Sequence, residues 1–196
     1  MTSLVEKYKV NVPEGQSGIW KVERMTLTKE DVKLSNLRAA FRPGARYIDP
    51  GIYTQLLRGH TLVMSDTTAE ILDHTDFINR ACGDVLIHGL GLGMVLQGCL
   101  ENGRVERVTV VEKSPEVIEL VGPHYQDRYG DRLEIIEGDA FTWKPARGQR
   151  WTCAWHDIWD NICTSNLPEM TKLHRRFGRR VDWQGSWARG LCRRYA

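Results

Sequence analysis

No stretch of this 196-residue chain approaches the ~18 consecutive apolar residues a membrane-spanning helix needs. The opening "MTSLVEKYKV" also lacks the apolar centre of a secretory leader. These two absences predict a soluble, cytoplasmic protein without a membrane partner. Cysteine is sparse and unpatterned: Cys82, Cys99, Cys153, Cys163 and Cys192 are odd in number, contain no C-x-x-C pair and mostly lie in apolar segments. That excludes a disulfide framework and a structural zinc knuckle, and predicts reduced core thiols. No segment has the low hydrophobicity and high charge of a disordered tract, and no Ser-His-Asp or Cys-His set stands at a recognisable spacing.

What is present is enough apolar material, 41% of the residues, for one good core. The chain should form a single α/β unit: a small N-terminal segment or cap over 1–60 and a main domain over 61–196. Charge is uneven. From Leu167 to Ala196, eight Lys/Arg face Glu169 and Asp182, giving +6 there and −4 for the rest of a chain whose net charge is +2. A nucleic-acid partner is disfavoured all the same, because no aromatic platform interleaves with the arginines.

From the middle onward, strand and helix patterns alternate. Residues 84–88 read as a buried strand and 92–100 as a helix ending near Gly103. The run 107–112 is a second strand, and Ser114-Pro115-Glu116 opens a helix that runs to about Val121. Residues 132–139 and 151–157 read as strands three and four, 166–180 as a helix and 181–187 as a fifth strand. In the N-terminal part, 19–28 alternates like a strand and 29–41 suits an amphipathic helix. "GIYTQLLRGH" (51–60) is a candidate wall of an acceptor pocket through Tyr53 and Gln55. Strands joined by helices predict a Rossmann-like three-layer sandwich with a mainly parallel sheet, whose ligand lies outside the carboxyl ends of the strands. Gly89, Glu112, Asp139 and Asp157 all fall at such ends.

The stretch "DVLIHGLGLGMVL" (84–96) puts Gly89, Gly91 and Gly93 directly after strand one. The dinucleotide fingerprint G-x-G-x-x-G fails, since 94 is Met and 96 is Leu; a G-x-G-x-G turn remains, with room for an uncharged part of a ligand to approach the backbone. Glu112 lies 112 − 93 = 19 residues beyond the last glycine, close to the ~20 at which an acid accepts hydrogen bonds from ribose hydroxyls. A ligand with a ribose and without a pyrophosphate follows.

That combination resembles the class I S-adenosylmethionine-dependent transferases over about residues 60 to 165. Within them it is most similar to the spermidine synthase-like branch, where, as at Ile87, an apolar residue stands two positions before the first glycine. The strand and helix expected over 62–81 match the entry to the nucleotide domain in that branch. The resemblance implies S-adenosylmethionine as cofactor, with Gly89, Gly91 and Gly93 at the methionine moiety and ribose, and Glu112 at the ribose hydroxyls. Asp139 and Ala140 of "EGDA" fall at the adenine, and Asp157 and Asp160 of "HDIWDN" match a catalytic D-x-x-D that serves the acceptor. The branch's serines are replaced by Ile158 and Trp159, and Trp159 is a candidate acceptor contact. The expected activity is methyl transfer to a small-molecule nucleophile. Aminopropyl transfer from the decarboxylated cofactor is the alternative, and a catalytically silent binding module with a basic C-terminus is the other. Turn amides are expected to receive the carboxylate of the intact cofactor. No metal is expected, because Asp160-Asn161 is followed by no second acidic cluster. Only 196 − 157 = 39 residues follow Asp157, so the sheet is expected to be truncated at the C-terminus, with an open edge inviting a homodimer or cover from the N-terminal segment.

Overall fold

The computed structural model describes residues 4–41 and 47–194. Two sheets organise the chain. The first is antiparallel and N-terminal, built from β1 (Gly15–Ser17), β2 (Trp20–Leu27), β3 (Gly51–Arg58) and β4 (Thr61–Ser65) in that spatial order. Short α1 (Leu4–Tyr8) precedes it, and α2 (Lys29–Ala40) is inserted between β2 and β3. The hairpin joining β3 to β4 turns at Gly59, whose φ of 60° needs glycine. The antiparallel sheet therefore continues past residue 60 as far as Ser65. The sheet leans on the main body where the Ser17 hydroxyl donates to Glu119 (2.6 Å), and the segment before it where the Gln97 amide donates to the Lys9 carbonyl (3.1 Å).

The second sheet is wholly parallel and has five strands: β5 (Gly83–His88), β6 (Val105–Glu112), β7 (Leu133–Glu137), β8 (Trp151–His156) and β9 (Val181–Ser186). Their order is β7-β6-β5-β8-β9, so the chain starts in the middle, runs to one edge, and resumes beside β5. Helices α3 (Thr68–Arg80), α4 (Met94–Leu100) and α5 (Pro115–Tyr129) supply Phe77, Met94 and Tyr125 to one core, shared with Val85 and Ile87 of β5. Helix α6 (Asn166–Phe177) covers the other face, where Leu173 and Phe177 pack with Leu86, Ala154 and Val181. A final α7 (Arg189–Arg194) follows β9. With both faces covered, successive residues of β5 are buried alternately into two cores, which is why the strand reads as a continuous apolar run. This is the Rossmann-like α/β sheet that the alternating pattern predicts, with the small antiparallel sheet added.

Three boundaries differ from expectation for identifiable reasons. Helix α4 begins at Met94 rather than 92, because Gly93 is left-handed (φ 74°) and caps it. Helix α5 runs through Pro123 to Tyr129 instead of stopping near Val121. The hydrogen bond lost at an interior proline is offset by Tyr125, which is fully buried and donates its hydroxyl proton to the Leu92 carbonyl (2.8 Å). Helix α6 ends at Phe177, before Gly178, three residues early.

Candidate functional site

The strand order makes the gap between β5 and β8 the place where the chain reverses its direction of progress, and connections leave it on opposite sides. The carboxyl ends of β5, β6 and β8 are tied there by backbone hydrogen bonds. Asp157 N donates to the His88 carbonyl and Gly89 N to the Val111 carbonyl, each at 2.9 Å. The turn after β5 then uses each glycine differently. All three have positive φ (93°, 50° and 74°). A Cβ at Gly89 would overlap the Asp157 carbonyl oxygen, one at Gly91 would meet the Met64 sulfur, and one at Gly93 would enter the ring of Tyr125. Gly89 and Gly91 line a cavity of about 440 Å³; Gly93 is not among its lining residues and serves packing instead. That volume lies within the ~300–1,000 Å³ of ordinary small-molecule sites.

Glu112, at the end of β6, is buried and lines the same cavity. Its carboxylate accepts from Leu90 N (2.7 Å) in the glycine turn and from Ser114 N (2.8 Å) at the start of α5. Two further amides of the turn are engaged as well: Leu92 N donates to Met64 Sδ (3.3 Å) and Gly93 N to the Leu90 carbonyl (2.8 Å). The expectation that these amides receive a carboxylate therefore meets a turn in which the amides of Gly89, Leu90, Leu92 and Gly93 already have acceptors.

Asp139, beyond β7, lines the cavity beside Ala140. One oxygen accepts from Lys113 Nζ (2.8 Å) and the other from Phe141 N (2.8 Å), and the Lys113 contact holds the Asp139 carboxyl below the usual carboxylate range. Asp157 is the contrasting acid. Its side chain is 17% exposed, and burial, reinforced by Glu70, Asp73 and Glu112, pushes its pKa up to about 8. The imidazole of His74, from α3, approaches to 3.6 Å, longer than a hydrogen bond. Asp160 is more exposed and pairs with Arg58 of β3, which also lies over the Trp20 ring. Trp159 donates its indole proton to Glu169 (2.8 Å). Asp157, Asp160, Trp159 and Ile158 all line the cavity.

Tyr53 and Gln55 do not. Strand β3 alternates, and its cavity-facing residues are Leu56 and Arg58. Tyr53 is buried with its hydroxyl donating to the Asp49 carbonyl (2.7 Å), while the Gln55 amide donates to Glu23 (2.8 Å). Met64, Glu70 and His74, which reach the cavity from β4 and α3, and Lys113 are further lining residues. The i, i+4 spacing of Glu70 and His74 puts them on one helix face, a signal that was available.

The remaining histidines near the strand ends are outside the cavity lining. His88 and His156 stack in the second core with Nδ1 atoms 2.7 Å apart. Gln184 donates from Nε2 to the His174 carbonyl (2.9 Å), so its Oε1 faces His156 Nε2 (3.0 Å), which must carry the proton. His156 Nδ1 then accepts from His88, leaving His88 Nε2 as a buried bare acceptor without a hydrogen-bond partner among the described residues. Burial pushes His156 down to about 4 and holds His88 well below its usual value. Both rings are neutral. Among the described residues no group of three or more potential ligands could hold a metal ion, and no helix is long and apolar enough to cross a membrane.

No protein-family profile matches the sequence, and no curated protein does. Similar solved structures include the CcbJ methyltransferase from Streptomyces caelestis, 18% identical, with 56% of this chain and 44% of that one covered and a TM-score of 0.45. A spermidine synthase from Thermotoga maritima is 15% identical over 87% of this chain and 52% of its own, with a TM-score of 0.49. A S-adenosylmethionine-dependent methyltransferase from Clostridium acetobutylicum is 11% identical over 57% and 44%, with a TM-score of 0.41. The matched regions thus span about half of those solved chains.

Proposed function

We propose that this chain is an S-adenosylmethionine-dependent methyltransferase acting on a small-molecule nucleophile. The observation carrying this reading is the convergence of Gly89, Gly91, Glu112, Asp139 and Asp157 on one cavity at the carboxyl ends of four parallel strands. The residues present fit the cofactor: a glycine turn where side chains are forbidden, a fixed acid beyond it for a ribose diol, and Asp139 with Ala140 on the β7 side for an adenine. The cofactor, when bound, supplies a carbon activated by a sulfonium, so the chain's own work is to hold a nucleophile in line and manage one proton. Alignment of this kind is worth up to ~7–11 kcal/mol of barrier in favourable intramolecular comparisons.

Asp157 is the proton manager in this reading. Burial and neighbouring carboxylates make its ionised form costly, which raises its basicity toward neutral pH, where a general base works best. Trp20, Trp159, Trp187 and Phe141 wall the cavity, exclude water and offer π faces to a flat or cationic group. Asp160, paired with Arg58, helps hold the acceptor side of the cavity in shape.

One observation favours aminopropyl transfer as a second reading. Arg58 and Lys113, the lysine and arginine of the cavity lining, are both paired with aspartates, and four turn amides have acceptors, so a donor without a carboxylate asks less of this site. The bulk of Ile158 and Trp159 along the lining argues for methyl transfer instead. Calorimetric titration with both cofactor forms decides. Methyl transfer expects the intact form to bind at least tenfold tighter, about 1.4 kcal/mol; tighter binding of the decarboxylated form, with consumption of a polyamine, overturns it. In the same assay Gly91→Val should abolish binding, and Glu112→Ala should weaken it by roughly 1.5–3 kcal/mol. If neither cofactor form binds the wild type, the whole reading fails.

A further inference from the structure

Two segments well apart in the chain lay their cations side by side. Residues 166–180, which are α6 and the turn after it, and the loop 142–150 carry eight Lys/Arg against a single acid, Glu169, in a chain whose net charge is +2. Backbone carbonyls join the two: Arg176 donates to the Trp143 carbonyl, Arg180 to those of Ala146 (3.2 Å) and Gln149 (2.8 Å), and Arg150 to that of Arg179 (2.6 Å). A carbonyl is a neutral acceptor, so these bonds fix the side chains and leave their charge uncompensated.

Pairing is where this face departs from the rest of the molecule. Elsewhere Arg58, Arg80, Lys113 and Arg128 each meet a carboxylate, and here Arg150 meets Asp182 (3.0 Å). Lys172, Arg175, Arg176 and Arg179 stand at i, i+3, i+4 and i+7 on the exposed side of α6 and its last turn. Among the described residues none of these four has an ion pair, and neither do Lys144 and Arg147 of the exposed loop. Glu169 itself is engaged by the Trp159 indole. Like charges one turn apart repel each other, so the folded chain carries a positive field that it does not answer itself.

The chemistry of the face selects among polyanions. A folded protein surface mixes both signs, whereas a nucleic-acid duplex carries one negative charge per ~1.7 Å of its axis and no positive ones. A membrane-surface helix needs large exposed apolar side chains, and none of those lies in 142–150 or 166–180. The rings of Phe141 and Phe177 lie beneath Lys172 and Arg176, so the cations cover them. The want of an aromatic platform, which speaks against binding a single strand, is no obstacle to gripping the backbone of a duplex. We infer that the face formed by α6 and the 142–150 loop docks the phosphate backbone of a nucleic-acid duplex without reading its sequence. The contact does not depend on the chemistry proposed for the cavity. Its dissociation constant falls in the ~10⁻⁴–10⁻⁶ M range of sequence-independent binding at physiological salt.

Fluorescence anisotropy of short labelled DNA and RNA duplexes of mixed sequence, titrated with the full chain, tests this. Binding to either duplex is expected, with affinity falling roughly 10²-fold between about 50 and about 200 mM salt if four cations are engaged. No binding of either duplex at the lower salt overturns the proposal, and so does an affinity that salt leaves unchanged. Tighter binding of a single strand of the same length overturns it too, as do polyglutamate or phosphatidylserine vesicles bound as tightly as the duplex. Lys172→Gln, Arg175→Gln and Arg179→Gln together should keep the circular dichroism and melting of the wild type, weaken duplex binding at least about tenfold and flatten its salt dependence. Lys144→Gln with Arg147→Gln removes two charges without touching the helix and should weaken it at least about threefold. Arg80→Gln with Arg128→Gln, on helices α3 and α5 of the opposite layer, should change it less than twofold. Equal losses in the α6 and the α3/α5 variants, or no loss in either the α6 or the loop variant, overturn the assignment of this face.

Discussion

His156 and Asp157 are neighbours in the chain, yet they belong to different chemistries. The last residue of β8 points into the second core, where its ring nitrogens are occupied by His88 and Gln184. The next residue turns into the cavity, where three carboxylates and burial surround it. One environment keeps bases neutral by sealing them away and bonding them to each other. The other raises the basicity of an acid towards neutrality while leaving it open to a ligand. Perturbed titration at a strand end is therefore not by itself a sign of function; exposure to a cavity separates the two cases.

The comparison breaks most sharply at Asp157. Asp157→Asn should lower turnover with any acceptor the wild type consumes by roughly 10²–10⁴-fold, the usual contribution of a positioned proton acceptor, with cofactor affinity largely retained. Activity equal to wild type removes Asp157 from the chemistry. Next comes Gly93→Ala, where the methyl would enter the Tyr125 ring at a left-handed position; a loss of about 3 kcal/mol or more in denaturant unfolding is expected. An unchanged midpoint would show that Tyr125 yields freely. On the sealed side, His156→Leu strands the His88 proton and the Gln184 oxygen, costing roughly 1–3 kcal/mol per group, without changing cofactor affinity. A double His88→Leu, His156→Leu variant should lose less than the sum of the singles, since they share one hydrogen bond.

The smallest effect is the most diagnostic, because the two sides respond to pH with opposite sign. Asp157 is raised from 3.8 to about 8, so the folded state holds a proton that the unfolded state releases, and stability falls as pH rises across that window. His156 is lowered from 6.5 to about 4, so the unfolded state binds the extra proton, and stability falls as pH drops from about 6.5 towards 4. Melting curves should show Asp157→Asn gaining at pH 8 by at least about 2 °C, as ~1 kcal/mol would give in a chain of this size, and unchanged at pH 4. A variant whose gain is the same at both pH values contradicts the Asp157 assignment.

The parallel sheet was readable because buried strands leave apolar runs and because β5, β6, β7 and β8 each end on a glycine turn or an acid. Glu112, Asp139 and Asp157 followed from that geometry alone. The N-terminal wall was not readable in the same way. Strand β3 alternates, and which of Tyr53/Gln55 or Leu56/Arg58 faces inward is set by pairing with β2 and β4, including an irregularity between Leu56 and Leu57, all of it non-local. Nor could spacing reveal that Gly93 answers to a tyrosine 32 residues later. His74 is legible only in part: its i, i+4 spacing puts it on one helix face with Glu70, but the contact of its ring with Trp155 of β8 is non-local.

Glu112 also bears on the entropy of recognition. With one oxygen on Leu90 N and the other on Ser114 N, its side chain is already immobile before a ligand arrives, and each oxygen keeps a second lone pair. A diol reaching it need not freeze a glutamate, which would otherwise cost up to about 1.5–2 kcal/mol of rotamer entropy. The acid that would recognise the sugar is thus preorganised by the turn it braces, and affinity there depends on keeping two backbone amides in place as much as on the carboxylate itself.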